Sequence, residues 1–185
     1  MSSLRPALIT DIPEILRIQA LCYTSIEPER ADAFINKLQQ APGCAFVVED
    51  KNDIIKDAGN NSDAEIKENG KLLAYLFALP IRTEQPPALD ADDFIVPPEA
   101  DCLYLHDLAI DPSARGLGLS APLLEAFFNT ARARCFTQTS LIAIQNSVPF
   151  WQRYGFHNRH PLSQQAELQA RISVYGEAAY LTCAL

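Results

Sequence analysis

The chain of 185 residues is short of several things, and each shortage excludes a class of protein. It has no Cys-x-x-Cys pair, and its five cysteines (Cys22, Cys44, Cys102, Cys135, Cys183) are odd in number and widely scattered. That argues against a disulfide framework and against a zinc site, so no metal is expected and a reducing compartment is. No apolar run approaches the roughly 20 residues of a membrane span, so no membrane partner is expected. The opening residues MSSLRPALITD lack the apolar core of a secretory signal, which makes a cytoplasmic location the expectation. Basic residues are scarce: 15 Lys and Arg stand against 23 Asp and Glu, for a net charge of −8. A sequence-independent nucleic-acid binder needs basic patches, so no nucleic-acid partner is expected. An acidic balance is compatible with a cationic small substrate, although most acidic proteins are simply acidic. There are no internal repeats and no low-complexity tract.

What is present reads as one globular domain over residues 1–185, with an ordinary 48% apolar and 21% charged residues. Leu4 to Ile9 reads as a short first strand. Asp11, Pro13 and Glu14 give a capping-box-like helix start, and Ile12, Ile15, Leu16, Ile18 and Leu21 supply the apolar face. A second helix is expected from Pro28 to Gln40, with Ala33, Phe34 and Leu38 inward, ended by Pro42-Gly43. Cys44 to Val48 is a strand. Residues 49–70 are polar with little to bury and read as a hairpin connection or insertion, not a separate domain. Lys71 to Ile81 is nearly continuously apolar and so a central strand. Residues 83–98 hold four prolines and three aspartates and read as a surface loop, a plain connection in most such cases and a wall of the substrate side as the alternative. Its acidic cluster (Asp90, Asp92, Asp93) reads as a solvated face. Ser140 to Ile144 is a strand, Val148 to Tyr154 a short helix stopped by Gly155, and Phe156 begins an extended segment. Gln164 to Ala170 is weakly helical, and Ala178 to Ala184 is a closing strand. The sum is an α/β (α+β) domain with a mixed, mostly antiparallel sheet of about seven strands flanked by helices.

The stretch from Cys102 to Glu125 organises the rest. An apolar strand stops at Asp111-Pro112, a loop carries Gly116 and Gly118, and Leu119, Leu123, Leu124, Phe127, Phe128 and Ala131 continue at helical spacing. A glycine loop opening a helix presents unpaired N–H groups and the positive end of the helix dipole, a recipe for holding phosphate. Walker A is excluded because Gly118 is followed by Leu-Ser. A Rossmann fingerprint is formally completed by Ala121, but Ser140 to Gln145 supplies no acidic residue at the next strand's end.

The pattern that fits is Arg/Gln-x-x-Gly-x-Gly/Ala. Here it is Arg115-Gly116-Leu117-Gly118-Leu119-Ser120, directly after Leu108-Ala109-Ile110-Asp111-Pro112. It resembles the pyrophosphate loop of the GNAT superfamily of N-acetyltransferases, which bind acetyl-CoA. Asn146-Ser147-Val148-Pro149-Phe150-Trp151-Gln152-Arg153-Tyr154-Gly155-Phe156 is similar to the family's second signature, and Leu4-Arg5-Pro6-Ala7 with Asp11-Ile12-Pro13 to its usual start. Within the superfamily, Tyr104-Leu105-His106-Asp107-Leu108-Ala109 and the segment from Val148 to His157 resemble arylalkylamine (serotonin-type) N-acetyltransferases.

The resemblance implies a sheet splayed near the end of the His106 strand. It also implies acetyl-CoA as co-substrate and direct transfer to a primary amine in a ternary complex. Leu108, Ala109 and Ile110 would pair with the pantetheine arm. The N–H groups of Gly116, Leu117, Gly118, Leu119 and Ser120 would cradle the pyrophosphate, with Arg115 adding charge and Asn146 and Phe150 contacting the CoA arm. His106 falls on the second of the subfamily's two catalytic histidine positions and Tyr104 on the first. Histidine has a pKa suited to removing the proton of an alkylammonium. Read alone, His106 is more readily a strand histidine bonded within the core, and it is the motif match that turns the reading toward catalysis. By alternation Tyr104, His106 and Leu108 share a face, unless a bulge of the family's kind intervenes. His157 and His160 read as surface or packing residues. Two positions depart from the family. Ser120 stands where Gly or Ala is usual, with a hydroxyl suited to capping the helix or touching phosphate. Trp151 stands where the general-acid tyrosine is usual, leaving Tyr154, Tyr104 and Tyr175 as substitutes. A peptide or protein amine, or a CoA-binding module without catalysis, remain alternatives, as do monomer and homodimer.

Overall fold

The computed structural model describes residues 2–51, 71–158 and 166–185. Most of the expected polar insertion, His160 and the start of the helix expected from Gln164 lie outside them. The elements are β1 (Ser2–Pro6), a 3-10 turn (Ile9–Asp11), α1 (Ile12–Cys22), α2 (Ala31–Gln40), β2 (Ala45–Asp50), β3 (Lys71–Ile81) and β4 (Cys102–Ile110). A second 3-10 turn (Pro112–Ala114) leads to α3 (Ser120–Ala133), β5 (Gln138–Ala143), α4 (Val148–Gln152), β6 (His157–Asn158), α5 (Ala166–Ser173) and β7 (Ala179–Ala184).

The strands form one sheet in the order β1-β2-β3-β4-β5-β7-β6. Neighbours are antiparallel except β4 and β5, which run parallel and pair only from Leu103 to Leu105. Beyond Leu105, β4 continues to Ile110 with no β5 partner, so the sheet is splayed there. β3 is buried on both faces, which is why its sequence shows no alternation. One face packs Tyr75, Phe77 and Ala109 against Ile15, Ile18 and Phe34 of α1 and α2. The other packs Leu76, Ala78 and Leu105 against Leu123, Leu124 and Phe127 of α3. Phe127 is fully buried, and Phe127→Ala would cost about 3–5 kcal/mol through lost transfer energy and a residual cavity.

Several local expectations change for physical reasons. The first strand stops at Pro6. Asp11 makes no helix cap; its carboxylate accepts from Arg5 at 2.6 and 2.8 Å and from the Leu8 N–H at 2.8 Å, pinning β1 to α1. Helix α2 starts at Ala31, not Pro28, because Gln19 fixes both backbone groups of Glu29 in a connection: the Glu29 N–H donates to Oε1 (3.0 Å), and Nε2 donates to the Glu29 carbonyl (2.9 Å). Its inward residues are Ala33, Phe34 and Lys37, while Leu38 is only partly buried. Asp90 and Asp92 are not a free solvated face, since both pair with Arg30, at 2.6 and 3.0 Å.

The β3–β4 ladder carries one irregularity that matters for the site. Phe77 pairs with Asp107 and Ala78 with Leu105, so His106 is an extra residue without a β3 partner, a β-bulge. Strict alternation therefore fails after His106. Leu108 sits opposite Leu76 on the α3 face, while Asp107, opposite Phe77, joins the face that Tyr104 and His106 approach. Tyr104 and His106 stay together, with ring centroids 5.9 Å apart.

Candidate active site

The end of β4 is fixed by Asp111. Its N–H donates to the Leu73 carbonyl at 2.8 Å, and Oδ1 accepts from the Ser113 N–H (2.8 Å) and hydroxyl (2.6 Å). Arg17 donates to Oδ2 at 2.7 Å. Burial raises the Asp111 carboxyl pKa, but the Ser113 and Arg17 bonds outweigh it and hold it at about 2. The chain then turns through Gly116 (φ +85°) and Gly118 (φ +74°) into α3. A Cβ at either glycine would meet nothing within 4 Å, so the requirement is the left-handed backbone and not space. No backbone acceptor among the described residues meets the N–H groups of Gly116, Gly118 and Leu119. Leu119, not Ser120, occupies the cap position, and no side chain caps the helix. Ser120 instead borders a groove of about 500 Å³ with Gly116 and Gly118, walled opposite by Phe150, Arg153 and Tyr154.

The other expected cofactor contacts divide. Ile110 lines the groove, Leu108 lines a neighbouring cavity, and Ala109 is buried in the core. The Leu119 side chain is buried and Leu117 points outward, so both can serve only through their backbone. Arg115 is exposed, with Nη2 3.8 Å from Cys22 Sγ. Asn146 is exposed in a left-handed turn (φ +57°) and lines neither space.

The neighbouring cavity, about 220 Å³, holds the chemistry. Tyr104, His106 and Asp107 enter from β4, Tyr23 and Glu29 from the connection after α1, and Trp151 and Tyr175 from the far side. Leu89 of the 82–101 loop lines it too, so that loop does wall this space. Phe150 lines both the cavity and the groove and marks where they join. The His106 side chain is 2% exposed, with Nε2 2.7 Å from Glu29 Oε1. Its Nδ1 is buried with no hydrogen-bond partner among the described residues. Lys37 Nζ donates to Glu29 Oε2 at 2.5 Å, and the Asp90 N–H reaches the same oxygen at 3.1 Å. Burial raises the Glu29 pKa, but His106 and Lys37 hold it down at about 2. Asp107 accepts from the hydroxyl of Tyr23 and, at 2.6 Å, from that of Tyr75; burial raises its carboxyl pKa despite both bonds. Burial likewise lifts the Tyr104 hydroxyl well above its ordinary range, so it is a neutral group. Tyr154 packs at a tilt against Phe150 with centroids 5.2 Å apart, on the groove side. Trp151 occupies the cavity wall, with its indole N–H donating to Ser147 Oγ at 3.0 Å.

Of the groups gathered here, the sequence reading named His106 and Tyr104, which share one face of β4 ahead of the bulge, and did not name Glu29, Lys37, Tyr23 or Asp107. Asp107 had a signal, as the one charged residue beside His106 within an apolar strand. Glu29 and Lys37 had none, because each reads as ordinary helix-flanking charge. What the arrangement offers is an imidazole braced by a carboxylate in an aromatic-walled cavity, joined to a groove rich in unspent backbone N–H groups. Among the described residues no cluster of His, Cys, Asp and Glu could hold a metal ion, and all five cysteines are free. No helix among them is long and apolar enough to cross a membrane.

Residues 12–156 match the model of the acetyltransferase (GNAT) family. No curated protein matches the sequence significantly. The structure is similar to the loading GNATL domain of CurA from Lyngbya majuscula, with TM-score 0.70 and 11% identity over 100% of this chain and 98% of that one. It is similar to the ribosomal-protein-S18-alanine N-acetyltransferase from Escherichia coli, with TM-score 0.61 and 15% identity over 100% and 94%. It is also similar to N-acetylglutamate synthase from Neisseria gonorrhoeae complexed with coenzyme A and L-arginine, with TM-score 0.59 and 19% identity over 100% of this chain and 33% of that one. At such identities these likenesses speak to the fold.

Proposed function

Because the chain belongs to the acetyltransferase (GNAT) family, and so is an acyltransferase that uses acetyl-CoA, we propose that its acceptor is the primary amine of a small cationic molecule, an arylalkylamine or similar amine, acetylated directly in a ternary complex. The observation that carries this reading is the buried His106–Glu29 pair facing an aromatic-walled cavity that meets the glycine groove at Phe150. The groove suits the pyrophosphate and pantetheine of acetyl-CoA: its glycine N–H groups are unspent, and β4 beyond Leu105 presents an unpaired edge. Arg115 remains close enough to the loop to add charge.

On the acceptor side, the carboxylates of Glu29 and Asp107 and the rings of Tyr23, Tyr104, Trp151 and Tyr175 favour an organic cation. An ammonium is no nucleophile until it loses a proton, and His106 is the group placed to take it. Freed of that proton, the amine attacks the thioester carbon, the C–S bond breaks with the thiolate as leaving group, and the acylated nitrogen, cationic at that point, sheds its second proton to solvent. Tyr154, tilted against Phe150 at the junction, is the proposed proton donor to that thiolate and recovers its proton from solvent. Tyr104 is neutral and packs against the His106 ring, contacting the acceptor and steadying the base. Asn146 would act only if the CoA arm extends to its exposed turn.

Thiol release from acetyl-CoA over a panel of arylalkylamines, polyamines, amino acids and peptides tests the proposal. Turnover with arylalkylamines supports it. Turnover confined to peptides with free N-termini would replace the acceptor with a protein terminus. Trp151, in place of an acidic tyrosine, favours a second reading, a CoA-binding module; acetyl-CoA binding without thiol release on any amine would select it.

A further inference from the structure

Glu29 is held from four separate parts of the fold. Gln19 of α1 fixes its backbone, Lys37 of α2 and the Asp90 N–H of the 82–101 loop fix Oε2, and Oε1 meets His106 of β4. Glu29 is 4% exposed and Lys37 is 1% exposed. A buried ion pair of this kind contributes little net stability compared with an apolar pair of the same shape, so packing alone is a poor reason for it. Beside it, His106 Nδ1 is a buried polar atom with nothing to bond. The two observations fit one device.

We propose that Glu29 and Lys37 form a positioning relay for the base: Glu29 fixes His106 as the Nε2–H tautomer so that Nδ1 is the atom that takes the acceptor's proton, and Lys37 keeps Glu29 ionised and sets how basic His106 is. An ionised carboxylate only accepts, so the Nε2 that faces it must carry the proton, and neutral imidazole then has its lone pair on Nδ1. When Nδ1 gains the acceptor's proton, the imidazolium lies against Glu29, and the proton passes to solvent after turnover. Lys37 opposes that charge from beyond Glu29, so the relay balances two cations on one carboxylate. The other ionisable groups around His106 are Asp107 and Tyr104 on β4, Tyr23 bonded to Asp107, Glu27 and Tyr175 in the cavity wall, and Asp90 beyond Glu29. The catalytic half of this inference rests on His106 being the base.

The test pairs nuclear magnetic resonance with kinetics on the full chain. The imidazole nitrogens of His106 are followed from about pH 5 to about pH 9, across the range where histidine titrates, in the wild type, Glu29→Gln and Lys37→Met. The wild type is expected to show the Nε2–H tautomer. Glu29→Gln removes the anion that favours imidazolium, so the His106 midpoint is expected below that of the wild type. Lys37→Met removes a cation that opposes imidazolium and keeps the side-chain shape, so the midpoint is expected above that of the wild type. The acid limb of the amine kcat/KM profile, where a general base becomes protonated, is expected to move the same way in each variant, with acetyl-CoA KM unchanged.

A merely structural pair would leave the kinetic limb where it is. An Nδ1–H tautomer in the wild type, or shifts of the same sign in both variants, overturns the relay. Midpoints that shift as expected while the kinetic limbs stay put overturn its role in catalysis and with it His106 as the base. If Glu29→Gln does not fold, the wild-type tautomer and Lys37→Met still decide. If no amine is a substrate, the resonance data decide the relay and the acceptor proposal fails separately.

Discussion

The glycine groove and the His106 cavity share the Phe150 ring but use the chain in opposite ways. The groove is a backbone device: two left-handed glycines and the first turn of α3 turn N–H groups outward, and the side chains of Arg115 and Leu117 are left in solvent. The cavity is a side-chain device, whose ionisable groups come from the α1–α2 connection, α2 and β4 and are buried together. A backbone device tolerates almost any side chain but not a change of φ. A side-chain device tolerates small backbone shifts but not the loss of one partner, because each buried charge depends on the next. The contrast predicts which changes injure which half.

The largest effect is expected at the cavity. His106→Gln should lower kcat/KM on the order of a hundredfold, the weight of one acid–base group, while acetyl-CoA binding measured by calorimetry persists. Loss of both together would mean that the two halves are not separable. Next comes the groove. Gly118→Ala fills open space but strains φ by about 1–2 kcal/mol, so acetyl-CoA KM should rise about tenfold with the amine KM unmoved; an unchanged KM would remove the loop's backbone from cofactor binding. A smaller effect is expected where the halves meet. Tyr154→Phe should cut kcat by less than about tenfold, because a CoA thiolate leaves readily and solvent can supply the proton. A loss as large as that of His106→Gln would make Tyr154 an equal partner.

The smallest effect is on acid stability, and each half has one carboxylate for it. Asp111 of the groove and Glu29 of the cavity are both held at about 2, below their ordinary values of 3.8 and 4.5. A depressed carboxyl stabilises the fold above its unfolded pKa and stops doing so as pH falls through the folded one, so stability should fall between about pH 4.5 and pH 2. Asp111→Asn should flatten that fall by a few degrees of Tm. An identical acid melting profile would show that the Ser113 and Arg17 bonds do not matter to stability.

The same contrast explains what could be read from sequence. The groove was legible because its determinants are contiguous: a strand end, Asp111-Pro112, two glycines and an apolar helix face need no knowledge of the rest of the chain. β3 was legible over its whole length, since burial on both faces leaves an unbroken apolar run. The cavity was half legible. His106 and Tyr104 lie in one strand, but Glu29 is 77 residues from His106 in sequence, and no local pattern reports a contact over that distance. Lys37 reads as a surface residue on its helix and is buried only because Glu29 waits for it. Leu108 shares the face of Tyr104 and His106 only by strict alternation, and the bulge named as the exception moves it to the other face without any mark in composition.

The inserted residue is His106 itself. The ladder closes around it, Leu105 to Ala78 and Asp107 to Phe77, as if position 106 did not exist. The group proposed to do the chemistry is thus a bead threaded onto the strand and not a link in it. An exchange at this position can change what the protein does while leaving sheet register alone, whereas an exchange at Leu105 or Asp107 disturbs the ladder first. Among the described residues, the one hydrogen bond of the His106 side chain is to the Glu29 carboxylate, so a replacement that still satisfies that oxygen is the kind the frame accepts.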